Sequence, residues 1–236
     1  YCILQRTCNA FVFVKMKITK SAVLFDLDGV TIDTEPLYTI AEIRLFHDYG
    51  VDIPRKDWGL FRGCSEERFF ELSIERYGIS EDRDIFIKKG RQYVMDEFNK
   101  NIPFIPGFKS LIKRIGNSHV TGLVTASPLR SLEWIRDKIG LDNYFQYIIS
   151  GEETDKNKPH PHPYLKMMSR IDVRPKNTVI IEDSIPGLRS ALASGGHVIA
   201  LKGSVPLEKL QIAHRIVTHL DEITLKFIND LLVDSI

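Results

Sequence analysis

The sequence lacks most of what would anchor it in a membrane, an oxidising compartment or on a polyanion. Its 236 residues include three cysteines, Cys2, Cys8 and Cys64. An odd number without regular spacing makes no disulfide framework, which fits a reducing compartment, and the expected location is the cytoplasm. No apolar run reaches the ~18 residues that mark a transmembrane helix. The formal net charge is +1, so nothing electrostatic argues for nucleic acid or an acidic membrane surface as partner. Internal repeats and low-complexity tracts are absent. The loop "GEETDKNK" (151–158) lacks the G-K-[ST] ending of a phosphate-binding P-loop. Methionine is missing before Met16. The stretch ahead of it, "YCILQRTCNAFVFVK", has no basic n-region and no A-x-A site, so it reads poorly as a secretory signal. The expectation is a start at Met16, with residues 1–15 as an extension, and a monomer.

What is present is ordinary in composition and regular in pattern. Hydrophobic residues make up 43% and charged residues 27%, as in a globular protein with room for one domain and a smaller second one. Short apolar runs recur: "SAVLF" (21–25), "HVTGLVTAS" (119–127), "FQYIIS" (145–150), "NTVIIEDS" (177–184) and "HVIAL" (197–201). Each suits a buried parallel strand. Helical patterns lie between them: "LRSLEWIRDKIG" (129–140), "PYLKMMSRI" (163–171) and "IPGLRSALASGG" (185–196), with Gly140 as a C-cap and Pro163 at a first helical position. The alternation predicts an α/β fold, a doubly wound, mostly parallel sheet of Rossmann-like type with helices on both faces.

Residues 34 to about 100 break that rhythm. "LYTIAEIRLFHDYG" (37–50), "SEERFFELSIERYG" (65–78) and "DRDIFIKKGRQYVMDEFNK" (82–100) are all helical in pattern, with Gly90 a weak point in the last. We therefore expect residues 16–33 and 104–236 to form the core domain and 34–103 an inserted helical domain. The linkers "DTEP" (33–36) and "NIPFIPG" (101–107) would join the two and act as a hinge.

Carboxylates gather at the strand ends. "AVLFDLDGVTIDTEP" (22–36) places Asp26 and Asp28 just past an apolar run, where burial and mutual repulsion both penalise charge. Thr125 and Ser127 end a second strand, Glu182 and Asp183 a third, and Lys158 lies in a loop before a helix. In a doubly wound sheet, ligands bind at these strand ends. Oxygen donors clustered there suit a hard divalent cation such as Mg2+. Singly, each residue has a bland reading, as a strand cap, a solvated turn residue or a loop lysine. His160 and His162 form an H-x-H pair without an evident third ligand for zinc. Lys88, Lys89 and Arg91 read as a solvated helix face, and Cys64 as a small buried residue.

Taken in order, the motifs resemble the haloacid dehalogenase-like superfamily of aspartate-nucleophile phosphotransferases, over nearly the whole chain after Met16. "DLDGVTIDTEP" is similar to its first motif, the Thr125 region to its second, Lys158 to its third and "IEDSIPGLRSALASG" to its fourth. The helical insert resembles the C1 cap. The closest subgroup holds beta-phosphoglucomutase and small sugar-phosphate or phosphoglycolate-type phosphatases. The resemblance implies Asp26 as nucleophile, Asp28 as general acid and then base, and Lys158 as charge compensation. It further implies Mg2+ on Asp26, the Asp28 carbonyl and Asp183, with Glu182 a further ligand or behind them. Thr125 would bind the phosphoryl oxygens, with Ser127 among the substrate-binding residues. Phe61, Arg62, Gly63 and Lys89 are candidates for a specificity surface on the cap. Dehalogenases lack the second aspartate, so Asp28 points to phosphoryl transfer from an oxygen leaving group. Beta-phosphoglucomutase carries a cap-linker histidine where this chain aligns Tyr38 and a cap arginine where it aligns Glu66, while Lys89 matches its cap lysine. Two departures of three favour hydrolysis of a small phosphorylated metabolite. A sugar-phosphate mutase and a non-catalytic binding or regulatory module are the alternatives.

Overall fold

Each of the five apolar runs becomes a strand, because branched and aromatic residues fit a sheet buried on both faces. The structure, a computed structural model, describes residues 20–61, 66–203 and 205–233. The strands are β1 (Ala22–Phe25), β2 (Val120–Val124), β3 (Tyr147–Ile149), β4 (Thr178–Glu182), β5 (His197–Leu201) and β6 (Arg215–Val217). They form one parallel sheet in the order β3-β2-β1-β4-β5-β6. β6 was not anticipated, since a three-residue "RIV" with only Val217 buried shows no period.

Alternation along β1 divides the core. Val23 and Phe25 join one cluster, with residues of α5 (Phe108–Ile115), α6 (Leu129–Ile139) and α10 (Leu225–Val233). Ala22 and Leu24 join the other, with α7 (His162–Arg170), α8 (Ile185–Ala193) and the short α9 (Leu207–Leu210). Each large side chain buried there contributes about 1.5–3 kcal/mol. The strand order reverses at β1, which pairs with β2 on one side and β4 on the other.

Between β1 and α5 lie α1 (Glu35–Asp48), α2 (Trp58–Phe61), α3 (Glu66–Tyr77) and α4 (Arg83–Lys100). They bury a third cluster, Leu45, Phe46, Phe61, Phe69, Phe70, Ile79 and Phe86. The Asp82 side chain caps α4 by accepting from the N–H groups of Asp84 and Ile85. Gly90 is a point of contact rather than of weakness. A Cβ there would stand 2.9 Å from the Phe70 ring and 3.1 Å from Leu45. The two linkers run side by side: Asp33 N–H donates to Pro103 O at 2.9 Å and Ile105 N–H to Thr31 O at 3.0 Å. Phe98 of α4 stacks on Trp134 of α6 with centroids 6.2 Å apart. Among the described residues no helix is long and apolar enough to cross a membrane.

Candidate active site

The reversal of strand order opens a crevice at the carboxyl ends of β1 and β4. Asp26 follows β1 directly, and its N–H donates to Ile181 O at 3.1 Å, continuing the ladder one residue beyond the strand. The chain then turns: Thr31 and Ile32 N–H both donate to Leu27 O, and Thr31 Oγ1 donates to Asp26 O at 2.6 Å. Gly29 has φ +78°, and a Cβ on it would lie 2.1 Å from Asp183 Oδ2. Glycine at this position is what lets the Asp183 carboxylate come up against the first loop.

Asp28 is fixed by hydroxyls from two directions. Thr34 Oγ1 donates to its Oδ1 at 2.8 Å and Ser127 Oγ to its Oδ2 at 3.3 Å. Thr125, just past β2, is buried; its hydroxyl donates to Ser127 Oγ and accepts from Ser127 N–H, both at 3.0 Å. Lys158 Nζ donates to Asp26 Oδ1 at 2.5 Å, to Glu182 Oε1 at 2.6 Å and to Val124 O at 3.0 Å. The structure therefore brings Asp26, Asp28, Thr125, Ser127, Lys158, Glu182 and Asp183 to one place.

Glu182 is fully buried and fully engaged. Beside Lys158, Tyr164 OH donates to Oε1 at 2.7 Å. Its Oε2 accepts from Ser184 Oγ and from the N–H groups of Asp183 and Ser184. Gly187 leaves it room, since a Cβ there would lie 1.9 Å from Oε1. Thr34, Tyr164 and Ser184 were not anticipated. Tyr164 lies on the buried face of α7, where an aromatic in the sequence reads as core.

Negative charge exceeds positive here. Burial pushes the Asp26 carboxyl up to about 7; Lys158 opposes this, while Glu182 and Asp28 add to it. Burial and then the charges of Asp26 and Glu182 push Asp183 up to about 8. Asp28 is also raised, chiefly by burial. Burial works against the Lys158 charge, but Asp26 and Glu182 outweigh it and raise its pKa. Asp26, Glu182 and Asp183 each place an oxygen within 4.8 Å of the others. An all-oxygen donor set with uncompensated charge fits Mg2+. Because five donors already occupy Glu182, Asp26 and Asp183 are the carboxylates with room for a cation.

Above these residues is a cavity of about 1770 Å³ between the sheet and α1–α4, lined by Asp28, Ser127 and Asp183 below and by Tyr38, Glu42 and Phe61 above. Lys89 is not among the lining residues; it pairs with Asp48 at 2.7 Å on the α1–α4 surface. Arg62, Gly63 and Cys64, the Glu66 side chain and residues 1–15 lie outside the described residues.

Comparison with known proteins agrees with this arrangement. Residues 23–201 match the family model of the haloacid dehalogenase-like hydrolases. A phosphorylated carbohydrates phosphatase of Thermotoga maritima is 30% identical over 176 residues, 74% of this chain and 81% of the relative. Hexitol phosphatase B of Escherichia coli is 28% identical over 176 residues, 73% and 79% of the two chains. Two solved structures share the fold. A HAD hydrolase of family IA, variant 3, from Entamoeba histolytica has TM-score 0.76 and 23% identity, covering 90% of this chain and 99% of its own. A beta-phosphoglucomutase from Clostridium difficile has TM-score 0.71 and 24% identity, covering 92% and 98%. The matched span runs from β1 to β5 and so contains Asp26, Asp28, Thr125, Ser127, Lys158, Glu182 and Asp183, and the chain belongs to the haloacid dehalogenase-like hydrolase family.

Proposed function

We propose that the chain is a Mg2+-dependent phosphatase acting on a small phosphorylated carbohydrate or polyol. The observation that carries this reading is the pair Asp26 and Asp28, with Lys158 on one oxygen of Asp26 and hydroxyls on both oxygens of Asp28. Asp26 Oδ1 is committed to Lys158, so Oδ2 is the atom to attack phosphorus. A P–O bond forms to Asp26 as the ester P–O bond breaks. Asp28, whose carboxyl is pushed up by burial against the hydroxyls of Thr34 and Ser127, is the group to give a proton to the departing alkoxide. The resulting Asp28 carboxylate then takes a proton from the water that attacks phosphorus, releasing phosphate and regenerating Asp26. Thr125 and Ser127 would bind and orient the phosphoryl oxygens, while Lys158, with its three donors on Asp26, Glu182 and Val124 O, offsets negative charge. When bound, Mg2+ would be held by Asp26, Asp183 and the Asp28 carbonyl, and it supplies positive charge against the substrate's negative charge.

Relatives named as phosphatases of phosphorylated carbohydrates and of hexitols support the substrate class. Hydrolysis is favoured over a mutase cycle by Tyr38, which lines the cavity with its ring against Phe98 where a mutase would carry histidine. The test is phosphate release from a panel of phosphorylated metabolites and p-nitrophenyl phosphate. Release with Mg2+ that stops with EDTA is expected. No release from a well-folded sample overturns the reading and favours a binding module; conversion of a sugar 1-phosphate to its 6-phosphate favours the mutase.

A further inference from the structure

One titratable group in the cavity has no part in the chemistry above. Glu35, Tyr38, Glu42 and Leu45 follow one stripe of α1 at i, i+3, i+7 and i+10, and all four line the cavity. Beyond Glu42 this stripe turns apolar, with Leu45 and Phe46 entering the aromatic cluster of the insert. Glu42 is half-buried at that border. Among the described residues none donates a hydrogen bond or an ion pair to its carboxylate. Burial and the neighbouring charge of Glu35 push it up to about 7. A carboxyl in such a place is destabilising until a donor reaches it.

Its position says which part of a ligand that donor belongs to. Thr34, just before α1, touches Asp28, and eight residues of helix at ~1.5 Å each carry Glu42 about 12 Å further along the axis. The phosphoryl group at Asp26 is out of reach, but the far end of a leaving group several carbons long is not. Hydroxyls there would donate to Glu42. A second phosphate or a carboxylate there would instead meet Glu42 and Glu35 as like charges. The cations of the cavity lining, Arg55, Lys56, Arg91, Arg130 and Lys202, are all on exposed residues, whereas Glu42 is half-buried.

We propose that Glu42 determines specificity: it accepts hydrogen bonds from the far hydroxyls of a neutral, polyhydroxylated leaving group and rejects substrates with a second anion at that end. The selection combines an attractive contact with a repulsive one. It rests on the phosphatase reading and deepens it, since a bisphosphate, which a mutase cycle must hold, is disfavoured at this face.

The experiment compares wild type, Glu42→Gln and Glu42→Leu on a hexitol 6-phosphate, a hexose 1,6-bisphosphate and p-nitrophenyl phosphate. Glu42→Leu is expected to lower kcat/KM for the hexitol phosphate about 10–100-fold, as loss of hydrogen bonds to a charged group implies, and Glu42→Gln by less. Both should raise kcat/KM for the bisphosphate. Turnover of p-nitrophenyl phosphate, which has no hydroxyl to offer, should stay within about threefold and reports that the site is folded. If the leucine variant does not fold, the isosteric glutamine variant carries the comparison. Wild type active on p-nitrophenyl phosphate, with variants unchanged on both sugar substrates, overturns the role of Glu42 alone. Wild type inactive on all three substrates overturns the phosphatase reading and this proposal with it.

Discussion

Asp28 has both carboxylate oxygens engaged by hydroxyls, and its predicted signature is a dependence on the leaving group. Asp28→Asn is expected to slow a sugar or polyol phosphate ~10²–10⁴-fold, the usual worth of general acid–base help. p-Nitrophenyl phosphate, whose leaving group departs without a proton, should lose much less in its formation of the phosphoenzyme, seen as a burst of p-nitrophenolate. Equal losses on both would assign Asp28 to folding or cation placement. Glu42 gives a stability signature. Its carboxyl titrates at about 7 in the fold against an ordinary 4.5. A raised carboxyl contributes stability below its unfolded value and loses it as pH rises through the folded one. Wild type should therefore lose stability between about pH 4.5 and 7 through this group, and Glu42→Gln should not. The difference in Tm, variant minus wild type, is expected to be small near pH 5 and positive near pH 8.5; a difference that does not change with pH would show that Glu42 is not buried as described. The convergence of Asp26, Lys158, Glu182 and Asp183 was legible because each lies at a strand end or loop in a recognisable order. Tyr164 and Ser184 were not, because only the tertiary fold reveals that their hydroxyls meet Glu182. Lys89 was expected in the cleft because a helical pattern does not say which face meets the core; its partner Asp48 lies 41 positions away on α1.

Among the elements, α4 owes its close approach to α1 and α3 to the absence of a side chain at Gly90. Gly90→Leu puts atoms where the Phe70 ring and Leu45 already stand. Overpacking of this kind costs about 1–3 kcal/mol, which outweighs the ~1 kcal/mol that replacing glycine gives a helix. A lower denaturation midpoint is expected, and an unchanged or higher one would show that the contact is loose. The strands with four or five residues were readable from branched residues in short runs. β3 was readable too, although it is a three-residue edge strand, because it lies in the apolar run "FQYIIS"; β6 was not, because exposed Arg215 leaves only two apolar residues and pairing with β5 holds it. α10 carries a readable amphipathic pattern, "LKFINDLLV", with Ile228 and Leu231 buried, and was simply not identified from the sequence.

For the whole molecule, the sheet has a hydrophobic cluster on each face and the insert a third, and two hydrogen-bonded linkers, which help line the cavity, join them. On the proposed reading, chemistry-bearing residues sit below and the selecting surface above, and the reaction and the choice of substrate should be separable by mutation. That separation was only half visible in the sequence: the motifs of the crevice are short and local, whereas the face that α1 turns to the cavity depends on how four helices pack. The central claim is that phosphate release runs through Asp26. The most direct measurement is steady-state phosphate release from p-nitrophenyl phosphate and a hexitol 6-phosphate by wild type and Asp26→Asn, with saturating Mg2+ and with folding checked by circular dichroism. Wild type is expected to turn over both substrates. The folded variant is expected to lose more than ~10³-fold in kcat on each, as removal of a covalent nucleophile does. A folded Asp26→Asn protein that retains more than about a hundredth of the wild-type rate on either substrate would contradict the account.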